Sequence, residues 1–329
     1  MSAVLAPWLQ EDWQRLLSRR AQGRLPHALL LAGPRGLGKR VFAEQVRAWL
    51  LCTAADQTDA ACGQCKACHL LRAGNHPDAL TITFEPRDDG KLRTEIIVDQ
   101  IRALSARFAQ TSQRGGWRVA IIEPAEAMNT AASNALLKTL EEPEASVMMI
   151  LVSDQPMRLS ATIRSRCQRI DVREPEPALS LQWLRAQGIA EKDAEPALQL
   201  ADGNPGEALL LARPEQRQQI NDVARDLQAL AGSAALMDVV QRWLAADPGF
   251  RLRAAVQLVA QAMKAPLTLQ AGVAESLIPL TARADFQKLS AWWDQANRAR
   301  LQLDTPLRSD LILAEILGNW RDTVSASSK

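Results

Sequence analysis

The sequence predicts an α/β domain on a mostly parallel sheet of the P-loop type, followed by a remainder that is all helix. Three observations predict it. The apolar run Leu29 to Ala32 breaks into a glycine-rich turn that ends in lysine, which is the order strand, phosphate loop, helix. Short apolar runs then alternate with helical patterns as far as about residue 173, as in βαβ units. From Leu181 onward only helical patterns occur, punctuated by Gly188, Gly203, Pro205 and Pro214.

Taken in order, Trp8, Leu9, Trp13, Leu16 and Leu17 fall at near-helical spacing and predict an amphipathic helix before the first strand. In LLLAGPRGLGKR, from Leu29 to Arg40, Gly33, Gly36 and Gly38 permit a turn whose amide N–H groups can cradle phosphate. Lys39 to Leu51 has helical periodicity without a breaker and ends near Cys52, where a cysteine-rich loop is expected. Ala79 to Phe84 reads as a strand, and Asp99 to Ala109 as a helix with its carboxylate near the positive end of the dipole. Gly115 and Gly116 release the chain into Trp117 to Ile122, a strand buried on both faces. Asn129 caps a helix that runs to Glu142 and is stopped by Pro143, and Val147 to Val152 is the next buried strand. The stretch EPEPALS, Glu174 to Ser180, reads as a linker. The simplest division is therefore 1–173 for the α/β domain, with a cysteine insertion at about 52–68, then 174–212 for a small helical domain and 213–329 for a larger one. In the last part, Val256, Leu258, Val259 and Met263, or Leu311, Ile312, Ile316 and Leu317, read as ordinary bundle core; the tail from Ser325 to Lys329 is expected to be disordered.

A net charge of +2 on 329 residues gives no strong field, so nucleic acid would be met only through local patches. Apolar runs such as Val147 to Val152 are too short to cross a bilayer, and no targeting segment is read at the N-terminus, so a soluble, cytoplasmic protein is expected. Of five cysteines, four lie between Cys52 and Cys68, which suits metal binding in a reducing compartment better than a disulfide framework.

Four motifs carry chemistry. Gly33 to Lys39 fits G-x-x-x-x-G-K, so Lys39 can contact phosphate, yet the next residue is Arg40, which has no oxygen for Mg²⁺. The strand ending Ile121-Ile122-Glu123-Pro124-Ala125-Glu126 stands where a P-loop ATPase delivers an Asp for the metal and a Glu for the water. Glu123 can take the first role, Pro124 cannot take the second, and Glu126 lies beyond the turn. Cys52, Cys62, Cys65 and Cys68 can bring four thiolates into tetrahedral reach of Zn²⁺. An iron–sulfur cluster is the rival, without the downstream Cys-Pro of that pattern, and His69 reads as a bystander. A closed site of this kind is structural. Finally, Thr162 to Cys167, TIRSRC, holds arginine on a rigid turn that can reach a neighbour's γ-phosphate. With Arg158, Arg169 and Arg173 it has a duller reading, as a solvated basic edge or as sequence-independent phosphate contacts to nucleic acid, and charge spacing alone favours that reading.

GPRGLGKR, the cysteine cluster, Asn134 to Pro143 (NALLKTLEEP) and Ser165-Arg166-Cys167 occur in the order found in bacterial clamp loader subunits of the AAA+ superfamily, which the first two-thirds of the chain resembles. The resemblance implies an AAA+ module with a zinc insertion, a helical lid and a helical collar. Motor subunits of that family keep Thr or Ser after the lysine, an Asp-Glu pair, and an arginine in a G-x-x-R motif; here stand Arg40, Glu123-Pro124 and Gly206. That pattern implies a non-hydrolysing member in a DNA polymerase III heteropentamer with gamma/tau motor subunits and a delta subunit, loading a sliding clamp on primed DNA. By the same resemblance Arg166 is an arginine finger for a neighbour's ATP and Lys138 a second cation across that interface. Gly33, Gly36, Gly38 and Lys39 then form a vestigial loop with doubtful ATP binding of its own, and Ser153 stands at the phosphate-sensing position. The alternatives are an active ATPase using Glu123 and Glu126, and a zinc-containing nucleic-acid-binding module.

Overall fold

A computed structural model of the chain describes residues 4–54, 59–87, 89–113, 116–268, 275–303 and 308–325. Gly115 and residues 326–329 of the expected tail lie outside the described residues. The chain divides into two compact units, Met1–Pro175 and Glu176–Lys329.

The first unit is a five-stranded sheet in the order β2-β3-β4-β1-β5, every pair parallel. The strands are β1 (Ala28–Ala32), β2 (Ala79–Ile82), β3 (Arg118–Ile122), β4 (Val147–Ser153) and β5 (Gln168–Asp171). Between and around them run α1 (Gln10–Ala21), α2 (Lys39–Leu51), α3 (Lys66–Arg72), α4 (Val98–Phe108), α5 (Thr130–Glu141) and α6 (Ala161–Arg166). Successive strand side chains point to opposite faces, so each central strand feeds two cores. Leu29, Leu31, Ile121, Met148 and Ile150 pack with Trp13, Phe42 and Trp49 of α1 and α2. Leu30, Ala120, Ile122, Met149 and Leu151 pack with Ile101, Leu136 and Ile163 of α4, α5 and α6. Burial on both faces is why these strands read as continuous apolar runs. On the first face Trp13 meets Trp49 edge-on at a centroid distance of 5.2 Å.

Caps set the helix ends. Asn129 Oδ1 accepts from the Ala132 N–H at 2.9 Å to start α5, and Ser160 Oγ accepts from the Ile163 N–H at 3.3 Å to start α6. The sequence reading missed β5, an edge strand in which only Ile170 is buried, and it expected a loop where α3 forms and a turn where α6 forms. All three are too short, or too polar on their open side, to show a period.

The second unit is helical among its described residues, as expected. It comprises α7 (Pro177–Ala186), α8 (Glu191–Leu200), α9 (Pro205–Leu211), α10 (Pro214–Ala231), α11 (Leu236–Leu244), α12 (Pro248–Thr268), α13 (Ile278–Arg283), α14 (Phe286–Leu303) and α15 (Ser309–Ser325). One core of buried residues runs from Leu184 to Val324. Its large indoles bury area without leaving a donor stranded. Trp243 Nε1 donates to Asp226 Oδ2, Trp292 Nε1 to the Ile316 carbonyl and Trp320 Nε1 to the Leu227 carbonyl, each at 2.9 Å.

Candidate functional site

Parallel strands place all their C-terminal ends along one edge of the sheet, which is where ligands bind in such folds. The loop after β1, Glu123 after β3, and Ser153 and Asp154 at the end of β4 therefore share that edge. Gly33, Gly36 and Gly38 all have positive φ, of 146°, 90° and 86°. A Cβ on Gly33 would lie 2.0 Å from the Val172 carbonyl oxygen, so this turn requires glycine. Leu37 between them is fully buried and pins the loop to the core.

The two cations that follow the loop are both engaged by the chain itself. Lys39 is only 4 % exposed; its Nζ donates to the Pro34 carbonyl at 2.6 Å and lies 2.7 Å from Asp154 Oδ1. Arg40 Nε donates to Glu123 Oε2 at 2.7 Å, and this hydrogen bond to the carboxylate raises the already high pKa of the guanidinium. Glu126 is engaged too, since its Oε1 accepts from the backbone N–H groups of Asp154 at 3.0 Å and Gln155 at 3.2 Å. Ser153 is fully buried, its carbonyl accepting from the Gly33 N–H at 3.2 Å. The sequence identified Lys39, Arg40, Glu123 and Glu126. Asp154 went unread, because an Asp after an apolar strand is an ordinary turn residue until the fold brings it to Lys39.

Cys52 ends α2, Cys65 caps α3 and Cys68 lies in its first turn, so two helix ends and the intervening loop converge. The four sulfurs of Cys52, Cys62, Cys65 and Cys68 lie within 4.8 Å of one another. Cys52 and Cys65 approach to 3.9 Å, and Cys62 and Cys68 to 4.0 Å. Tetrahedral zinc with bonds of about 2.3 Å needs sulfurs about 3.8 Å apart, so the set fits a metal ion. Backbone N–H groups aim at the sulfurs, from Cys62 to Cys52 at 3.4 Å, from Cys65 to Cys62 at 3.3 Å and from Cys68 to Cys65 at 3.5 Å. Burial opposes ionisation of Cys65, but hydrogen bonds from Cys68 and Thr53 outweigh it and hold the thiol at about 5. The backbone N–H groups of Gln64 and Cys65 lower Cys62, whereas burial first, and then the neighbouring thiols, push Cys68 up to about 12. The lowering at Cys65 favours the thiolate, the form that binds a metal. His69 is exposed on α3 and outside the set.

Arg166 closes α6, with Nη1 donating to the Thr162 carbonyl at 3.0 Å and Nη2 lying 2.6 Å from Glu141 Oε1. Lys138 is exposed one turn before Glu141 on α5. Three more arginines of the edge have internal partners as well: Arg169 pairs with Asp171 at 2.6 Å, Arg164 donates to Met157 Sδ at 3.1 Å and Arg158 to Gln155 Oε1 at 3.4 Å. Cys167, next to the arginine, is a core thiol pushed up to about 12 by burial. Gly206 lies in the first turn of α9, capped by Asn204, whose Oδ1 accepts from the Glu207 N–H at 3.0 Å.

Fold and site together define a P-loop-type α/β module with a cysteine insertion fitted to a metal ion and a helical unit beyond it. Residues 8–176 match the family model described as DNA polymerase III, delta subunit, and the chain belongs to that family. Its relatives carry the name DNA polymerase III subunit delta'. The protein of Pseudomonas aeruginosa is 43% identical over 231 residues, 69% of this chain and 67% of that one. That of Yersinia pestis is 34% identical over 78% of this chain and 76% of its own length. That of Escherichia coli K12 is 35% identical over 64% of this chain and 62% of its own.

Proposed function

We propose that the chain is a non-hydrolysing subunit of the DNA polymerase III clamp loader and that Arg166 completes the ATP site of an adjacent motor subunit. Family membership supports the complex; one observation carries the absence of turnover. Lys39 is bound to Asp154 and Arg40 to Glu123. In a hydrolysing P-loop the lysine holds the β- and γ-phosphates, and a hydroxyl and an acidic residue hold Mg²⁺. Here a carboxylate takes the lysine and a guanidinium takes the acidic residue. Glu126, the remaining candidate for activating water, spends one oxygen on two backbone N–H groups.

In this reading the ring of gamma/tau motor subunits, a delta subunit and this chain works in the cytoplasm and uses its neighbours' ATP to place a sliding clamp on primed DNA. Lys138 adds a second cation at the interface, residues 174–212 form a lid, and residues 213–329 form the collar that joins the ring. Zinc at Cys52, Cys62, Cys65 and Cys68 has a structural role, tying the end of α2 to α3.

The test is ATP turnover by the purified chain, alone and assembled with its motor subunits. No turnover alone, and slower turnover of the assembled loader with Arg166→Ala, are expected. Turnover by the chain alone that Lys39→Ala abolishes would overturn the proposal, as would a loader indifferent to Arg166→Ala.

A further inference from the structure

Arg166 is held from two sides. Its own helix supplies the Thr162 carbonyl, and the last residue of α5 supplies the Glu141 carboxylate. Both helix ends are fixed from beneath. Leu140 is buried and its carbonyl meets His27 Nε2 at 3.0 Å, while α6 is started by Ser160 and anchored by the fully buried Ile163. The pair therefore joins two firm helix ends.

Glu141 is poorly placed for helix stability. A carboxylate in the last turn opposes the helix dipole, and Glu142 adds a second negative charge at the C-cap. Arg166 at the end of α6 is well placed by the same rule. An ion pair this exposed, 34% for the arginine and 48% for the glutamate, adds little to folding. Its effect falls instead on the guanidinium, which has several rotamers when free and one orientation when gripped. The planar fork has donors to spare after these two acceptors are served, so carboxylate and phosphate can be bound together.

Resting on the finger reading above, we infer that Glu141 is a positioning residue for Arg166: it fixes the plane of the guanidinium so that the remaining N–H groups meet the neighbour's γ-phosphate without a search. Its effect lies in the transition state and so in kcat, because the arginine stabilises charge that develops during transfer.

The experiment uses the assembled loader in which only the motor subunit beside this chain retains its phosphate-binding lysine, so that one site is read. With Glu141→Ala, kcat is expected to fall about tenfold, as for a modest misplacement of a catalytic group, with KM for ATP little changed. Glu141→Gln keeps an acceptor and should lower kcat by a smaller factor. The double variant with Arg166→Ala should be no slower than Arg166→Ala alone, a coupling that a general loss of structure would not produce. If Glu141→Ala does not assemble, Glu141→Gln decides: a lowered kcat supports the inference and an unchanged one overturns it. A kcat unchanged or raised by Glu141→Ala, or a double variant slower than Arg166→Ala, overturns the inference while leaving the finger in place. An Arg166→Ala loader with normal kcat overturns both.

Discussion

Gly33 is the residue that the phosphate loop can least exchange. Its φ of 146° and the Val172 carbonyl oxygen 2.0 Å from any added Cβ leave no room for a side chain, and the atoms that the Cβ would meet are Val172 backbone, which cannot swing aside. Gly33→Ala should destabilise the chain by about 3 kcal/mol, read as a lower midpoint in urea with the slope unchanged. Asp154 answers to a different test. It presents to an incoming triphosphate the like charge that repels it, and it occupies the lysine that would attract it. Asp154→Ala should therefore bind ATP about tenfold more tightly than the parent chain in an equilibrium titration, even though nothing has been added to the pocket. In the second unit, Trp243→Phe leaves Asp226 Oδ2, among the described residues, with Arg251 alone, at 3.5 Å, in a buried setting. A loss of about 1–3 kcal/mol is expected by thermal melting.

At the scale of elements, zinc bound as proposed would support the cysteine insertion more than the sheet, because α3 is seven residues long and contributes little core of its own. Zinc analysis of fresh protein should find about one ion per chain. Cys65→Ser or chelation should speed amide exchange in α3 and leave the amides of β1, β3 and β4 protected, since those strands are buried on both faces. Of the strands that the sequence revealed, three have continuous burial, whereas β2, read in the same way, is only partly buried. β1, β3 and β4 could be read from apolar runs, and α2 was bounded by a glycine and a cysteine at positions the fold uses. β5, α3 and α6 were not readable as elements, because one buried residue in four or a single buried stripe gives no period. The site divides in the same way. Lys39, Arg40, Glu123 and the cysteines announce themselves by spacing along the chain. Asp154 and Glu141 pair with residues more than twenty positions away, and only the fold brings Asp154 to Lys39 and Glu141 to Arg166.

At the scale of the molecule, each unit has its own core: the sheet with its two helical faces in one, a single helical cluster in the other. The cysteine set lies wholly in the first. A chain ending at Pro175 should accordingly fold and retain zinc, measured by circular dichroism and metal content. No helix among the described residues is long and apolar enough to cross a membrane. The pair of Arg40 with Glu123 has a consequence at this scale as well. A metal ion comes and goes with its concentration, and its occupancy follows the nucleotide that carries it. A guanidinium on the chain has no such equilibrium: its supply is fixed by covalent attachment. The positive charge beside Glu123 is then set at translation, whatever the cell's magnesium.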